Sequence, residues 1–536
     1  MEEPAATDGV PAGRFQRPSL ASAAAIVAAG FLASRLLGVL RSVAIADSFG
    51  DSPELGAYWV AFRLPDLIFQ LLAGATLGSA FIPTFVRVFT KQSEEAAWRL
   101  ASSVLNLVFM ATIVFAIFGF LFAPLLVPAM APGLSERSLA IELTRIMMLS
   151  PILFAASGMF MGILNARHHF LFPAFAPVLY NLAIIAGALA FDSVQALSIA
   201  VVVGAGLHLA VQTPALALVG MRYRAIADWG DATVREVGRL MAPRVLGLAA
   251  FQFNLLIAIF FASTISDEAI SAVNYAWLVL MMPLGLFGMA ISTAVFPTMA
   301  EQAAGDRDAL RRTLEQSLRL ILFLTIPAGL GLMVLSGPLV AFVFQHGFGL
   351  LGGGAFSEAS TDITQAALLF YAIGLFAHAA IEILSRGFYA LGDTRTPVIY
   401  AVVAVVANLI LSAALVGPLE IKGLALAVSL ATVIEVTLLF AALRLRLQGL
   451  DLRALARSVF QTLVSALLMV EAVGFYLVLL HEAGHLDTNR LLDSTLAVAG
   501  ATLLGGIVYV AVAKALGSEE VETLLRRLHL PARGRS

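Results

Sequence analysis

The chain has 536 residues, of which 60% are hydrophobic and only 13% charged, with a mean hydropathy of +0.92. Soluble domains carry about a quarter charged residues, so this composition excludes an ordinary soluble protein and predicts an all-α polytopic membrane protein. A net charge of −2 argues against nucleic acid as a partner, and the absence of cysteine excludes disulfides, thiolate metal sites and cysteine nucleophiles.

In chain order, residues 1–19 read as a polar cytoplasmic tail carrying Arg14 and Arg17. The apolar run that follows is longer than the core of a secretory signal and predicts an uncleaved first helix. Runs of about 20 apolar residues, enough to cross roughly 30 Å of hydrocarbon, recur about 14 times. The expected transmembrane helices are 20–46, 57–86, 100–123, 139–163, 171–191, 195–219, 243–264, 270–298, 318–335, 362–384, 397–416, 423–443, 458–480 and 494–513. Twenty-six of the 33 basic residues fall in alternate loops; Arg137, Lys422 and Arg490 fall in the opposite ones, and Arg35, Arg41, Arg63 and Arg145 within spans. Because cytoplasmic loops concentrate Lys and Arg, both termini are expected in the cytoplasm.

The chain also repeats itself. SAFIPTF at Ser79–Phe85 is echoed by TAVFPTM at Thr293–Met299, which sets Pro83 and Pro297 214 residues apart. Pro124 and Pro338 share that offset, and Pro173 and Pro397 are 224 apart. Six spans separate the copies, an even number, so two parallel six-helix repeats are expected, an architecture that transporters use. The expected division is an N-lobe over 20–225, a C-lobe over 226–446, two C-terminal helices within 447–516 and a cytoplasmic tail over 517–536.

Several motifs carry little. His481-Glu482-Ala483-Gly484-His485 matches the zinc-protease pattern H-E-x-x-H but lies in a short loop without an obvious third ligand beyond Asp487, so a polar loop is the expected reading and no metal is assigned. Gly347 to Gly352 matches G-x-G-x-x-G without a preceding strand, which argues against a dinucleotide site. His168 and His169 beside Arg167 are expected to be interfacial rather than a proton relay. Glu382 and Arg386, spaced i, i+4, are expected to pair, and Glu471 is a further acidic residue within a span. Glu435, well inside its span, is a candidate coupling-ion ligand or helix-helix contact, and Gln252 and Asn254 are further polar candidates on helix 7. There is no P-loop and no cofactor is expected; transport would follow membrane potential or a Na+ or H+ gradient.

The intramembrane arginines stand apart, because each costs roughly 2.5–3.5 kcal/mol to insert at bilayer depth. Arg35 is expected near mid-depth, with Arg41 about 9 Å further along the helix and turned away by about 240°. Arg63 enters from the outer end of helix 2, near Pro65 and Asp66. A cavity with such guanidinium groups suits an anion, above all a diphosphate, whose oxygens match the planar donor fork.

In order and spacing, SRLLGVLRSVAIADSFG, YWVAFRLPDL, SAFIPTF, MAPG, LNARHHFLFPAFAPVLYN, SGPLVAFVFQHGFG, RGFYALGDTRTPV and GPLEIKGLALAVSLA resemble the MurJ (MviN) family of lipid II flippases, within a larger exporter superfamily. The resemblance implies two six-helix lobes and two extra helices bordering a lipid-facing groove. It implies flipping of an undecaprenyl-diphosphate-linked peptidoglycan precursor across a bacterial inner membrane by alternating access, with Arg35 and Arg41 at positions associated with the diphosphate. The expected partners are that substrate and membrane lipids. The sequence departs from the family pattern at Ser42, Gly56 and Gly74, where acidic residues are usual, and at Phe69 or Gln70, where a basic one is. It departs again in helix 8, where Trp277, Leu278 and Met281 replace charged residues. Export of another lipid-linked or amphipathic substrate, or a scaffold role without transport, are the rival expectations.

Overall fold

The computed structural model describes residues 20–74, 80–351 and 354–522. Arg14, Arg17, Ser79, Gly352, Arg526, Arg527, Arg533 and Arg535 lie outside the described residues. Within them the fold is helical, and ten helices or helix runs are long and apolar enough to cross a membrane. One more span is a bent pair, α15 (Glu358–Ala372) and α16 (Leu375–Ala390), which meet at 46°.

The fourteen expected spans are consistent with this set. α17 (Arg395–Arg446) runs 52 residues, about twice a bilayer crossing, and Glu420 within it has φ 50° and ψ −130°, which no helix accommodates. Pro418 two residues earlier removes a backbone donor, so the chain turns here and α17 supplies two spans. α10 (Ala232–Ile265) lies over the expected span 243–264, and α2 (Pro53–Phe69) and α3 (Ile82–Lys91) lie at the two ends of the expected span 57–86.

The repeat is visible in local backbone as well as sequence. α2 passes into a π-helical turn at Gln70–Gly74, and α11 (Asp267–Pro283) passes into another at Leu284–Met289 before α12 (Ala290–Gly305). Gln70 and Leu284 are again 214 residues apart. Single π turns relieve a helix that has lost a ladder hydrogen bond, and Pro65 and Pro283 each withhold one nearby.

Two compact units emerge, both discontinuous in sequence. One comprises Met1–Arg41, Leu64–Ala123 and Glu142–Leu248; the other comprises Ser42–Arg63, Pro124–Ile141 and Ala249–Ser536. In the first, aromatic and aliphatic side chains of α3, α4 (Glu94–Met130) and α6 (Leu149–Ala166) build a core around Phe81, Phe85, Trp98, Met159 and Ile163. Arg87 pairs with Glu236, and Arg99 with Asp228 at 2.7 Å, along one polar edge.

In the second unit, α13 (Arg307–Val334), α18 (Leu452–Glu482) and α19 (Leu491–Ala515) share a core of Phe323, Met469, Val473 and Tyr509. The Tyr509 hydroxyl donates to the Phe323 carbonyl at 2.6 Å, so the phenol is satisfied inside the apolar layer. Residues 42–63 and 124–141 are pinned at the end read above as outer. Tyr275 donates to the Gly50 carbonyl at 2.8 Å, Ala355 N to the Asp47 carbonyl at 2.6 Å, and Ser360 Oγ to Asp51 at 2.6 Å. Burial raises the Asp51 carboxyl above its ordinary range, a nearby Glu268 adds to this, and the Ser360 hydroxyl opposes it.

Candidate functional site

α1 (Leu20–Phe49) carries the two deep arginines in different surroundings, as their angular separation predicts. Arg35 lies on an exposed face with Phe31, Leu32 and Leu36, and its guanidinium sits 5.2 Å from the Phe31 ring one turn back. Arg41 is half-buried, with its guanidinium 6.0 Å from the Tyr180 ring on α7 (Leu171–Ala190).

α7 is registered against α1 at two further points. Gly30 admits Ala174, where an added Cβ would lie 2.5 Å from the alanine methyl, and Asn181 Nδ2 donates to the Ser34 carbonyl at 3.4 Å. Small residues and side-chain amides are the usual means of closing a helix pair in lipid. In the same unit Gln70 Nε2 donates to Asp66 at 3.5 Å.

Arg63 belongs to the second unit. Its Nη2 donates to Asn274 Oδ1 at 3.1 Å, and Asn274 in turn donates to the Ile270 carbonyl at 2.7 Å. Asn274 precedes the aromatic pair Tyr275 and Trp277, and sequence reasoning missed it because a lone Asn in an apolar helix has many uses. Trp277 is set edge-on to Tyr371 at 5.7 Å and to His378 at 5.4 Å. An aromatic stack therefore occupies the helix 8 position where the resemblance implies a charge.

The polar candidates of helix 7 separate. Gln252 is buried, and its Oε1 has no hydrogen-bond partner among the described residues. Asn254 accepts from Asn408 Nδ2 at 2.9 Å, and Asn408 accepts from Ser412 at 3.2 Å, an uncharged oxygen-rich cluster. Glu435 is half-buried and acts electrostatically on Tyr389, as do Glu382 and Arg386. Glu382 and Arg386 form the expected i, i+4 pair at 3.6 Å.

His481 and Glu482 end α18, Gly484 turns the chain at φ 74°, and His485 Nδ1 approaches Asp493 at 3.4 Å. Among the described residues no group of three or more His, Cys, Asp or Glu side chains is placed to hold a metal ion. His346, just ahead of the glycine-rich run, meets the Thr488 carbonyl in the α18–α19 loop at 2.8 Å. Arg167 lies 4.2 Å over the Phe89 ring.

Burial lowers the pKa of His169 from 6.5, and the adjacent Arg167 charge lowers it further. A histidine whose folded pKa lies below its unfolded value resists protonation in the folded state, so stability should fall as pH drops through 6.5. Thermal unfolding between pH 7.5 and 5 is expected to show a smaller acid loss for His169→Gln than for wild type. Parallel pH profiles for the two would reject this role.

The family model for the lipid II flippase MurJ matches residues 45–492. The lipid II flippase MurJ of Burkholderia cenocepacia is 31% identical over 441 residues, covering 79% of this chain and 84% of its own. A solved lipid II flippase MurJ in an inward closed conformation superposes with a TM-score of 0.76 at 24% identity, covering 94% of this chain and 100% of that one. An inward-facing multidrug resistance MATE family transporter of the MOP superfamily superposes at 0.63 and 15% identity, covering 77% and 94%. The two solved structures establish the fold, and the model and the relative establish descent: this multi-pass membrane chain belongs to the MurJ family of lipid II flippases.

Proposed function

We propose that this chain moves lipid II from the inner to the outer leaflet of a bacterial cytoplasmic membrane, and so serves peptidoglycan biosynthesis as a transporter rather than an enzyme. Membership of the lipid II flippase family carries this reading. The substrate is read as undecaprenyl-diphosphate-linked, with its tail left in the bilayer, both chain termini in the cytoplasm, and the two lobes exposing the headgroup to each side in turn.

Arg35 and Arg41 are assigned to the diphosphate, since two guanidinium groups on one spanning helix offer donor forks to its oxygens. Arg63, oriented by Asn274, is assigned as a separate substrate contact. Gln252, Asn254 and Glu435 are the proposed coupling or cavity residues: neutral oxygens would suit Na+, and a carboxyl would suit H+. Purified protein in proteoliposomes is expected to carry lipid II across the bilayer, faster when a potential or ion gradient is imposed. Transfer equal to that of protein-free vesicles would end this reading.

The stack of Trp277 on Tyr371 and His378 favours a second reading, in which the substrate is another polyprenyl-diphosphate-linked or amphipathic molecule. Lipid II binding separates the two, because the second predicts none at micromolar concentrations.

A further inference from the structure

Arg41 sits inside an apolar helix, and among the described residues no carboxylate lies within salt-bridge distance of it. The next residue is Ser42, so the chain has no acidic neighbour on that side. What faces the guanidinium is the ring of Tyr180, 6.0 Å away.

The two kinds of partner differ in what they leave free. A carboxylate engages the in-plane N–H groups of a guanidinium, the same groups a diphosphate would need. An aromatic face attracts the cation through its quadrupole and leaves those N–H groups available. Tyr180 therefore stabilises the charge without competing for its donors.

The ring is itself held from two directions. Phe154 on α6 packs edge-on against it at 5.1 Å, and Phe154 is backed by Phe69 at 4.9 Å and His208 at 5.3 Å. On α8 (Val194–Ala210), Gly204 leaves room for the ring: a Cβ there would lie 2.8 Å from Tyr180 Cδ2. All these residues belong to the first compact unit.

We propose that Tyr180 is the positioning residue for Arg41, holding its guanidinium by a cation–π contact so that its N–H fork stays open to the diphosphate of a lipid-linked substrate. This rests on the assignment of Arg41 to the diphosphate. Phe154 and Gly204 complete the device by fixing the ring.

The test uses the full-length protein in nanodiscs, with undecaprenyl diphosphate as the binding probe and peptide mass spectrometry of phenylglyoxal adducts at Arg41 and Arg35. Tyr180→Leu is expected to weaken binding roughly 10-fold, between the values of an exposed and a desolvated cation–π contact, and to change the adduct rate at Arg41 but not at Arg35. Tyr180→Phe, which keeps the ring face, is expected to restore both. If Tyr180→Leu does not fold, Gly204→Ala tests the same point by pushing the ring from its seat, with the same expected signs.

Unchanged Arg41 adduct rates in the folded variants, or Tyr180→Phe as weak as Tyr180→Leu, would overturn the proposal. Failure of the wild type to bind the probe would instead overturn the substrate assignment, and the adduct rates would still report on the positioning.

Discussion

Arg35→Ala is expected to abolish rescue of a strain depleted of its own flippase while leaving the amount of membrane-inserted protein unchanged. The second half of that expectation is what makes the first informative. Arg35 lies on an exposed, otherwise apolar stretch of α1 with Phe31, Leu32 and Leu36. Alanine is the best helix former, and removing an arginine expected near mid-depth would relieve roughly 2.5–3.5 kcal/mol of insertion cost. The variant should therefore be inserted at least as well as wild type.

What it loses is the charge-assisted hydrogen bonding to the substrate. Contacts of that kind are worth about 1.5–3 kcal/mol each, or roughly 10- to 150-fold in affinity, and more where both phosphates are engaged. Arg35→Lys, which keeps the charge but not the fork, is expected to fall between. Growth supported by Arg35→Ala at wild-type protein levels would defeat the assignment of this residue. Arg41→Ala is expected to act in the same direction, read by lipid II binding rather than growth.

Gly56→Asp is expected to destabilise the protein even though an acidic residue at this position is usual in the family pattern. A Cβ at Gly56 would lie 2.9 Å from the Asp267 carbonyl oxygen and 3.5 Å from the Asp267 Cβ. Asp267 opens α11, and its carboxylate accepts from the Ser135 backbone N at 3.2 Å and from the Ser135 hydroxyl. Gly56→Ala isolates the steric part, roughly 1–3 kcal/mol for an overpacked contact. Gly56→Asp adds a second carboxylate beside Asp267, where like charges repel.

Thermal unfolding in detergent should rank wild type above Gly56→Ala and Gly56→Asp lowest. Midpoints equal to wild type in both variants would show that the segment yields at no cost.

Much of this protein is legible from its residues in order. Apolar run length sets the spans because a bilayer has a fixed thickness, and the Lys and Arg alternation sets their expected direction. Even the repeat shows, since Pro83 and Pro297 recur at the offset that also separates the π turns at Gln70 and Leu284. The deep arginines announce themselves by their cost. Boundaries were less legible where helices bend: the reversal at Glu420 and the 46° break between α15 and α16 depend on packing rather than hydropathy.

The candidate site divides along the same line. Arg35, Arg41 and Arg63 are found from sequence because a charge in an apolar run is a local anomaly. Their partners are not. Tyr180 and Asn274 are unremarkable in their own segments, and each meets its arginine only through the tertiary fold, 139 and 211 residues away. Composition and periodicity act along the chain and so determine spans, repeat and charge depth. The choice of an aromatic face for Arg41 and an amide for Arg63 is made across helices, by close approach at Gly30 and Gly204 and by the packing of α2 on α11, and only the tertiary structure decides it.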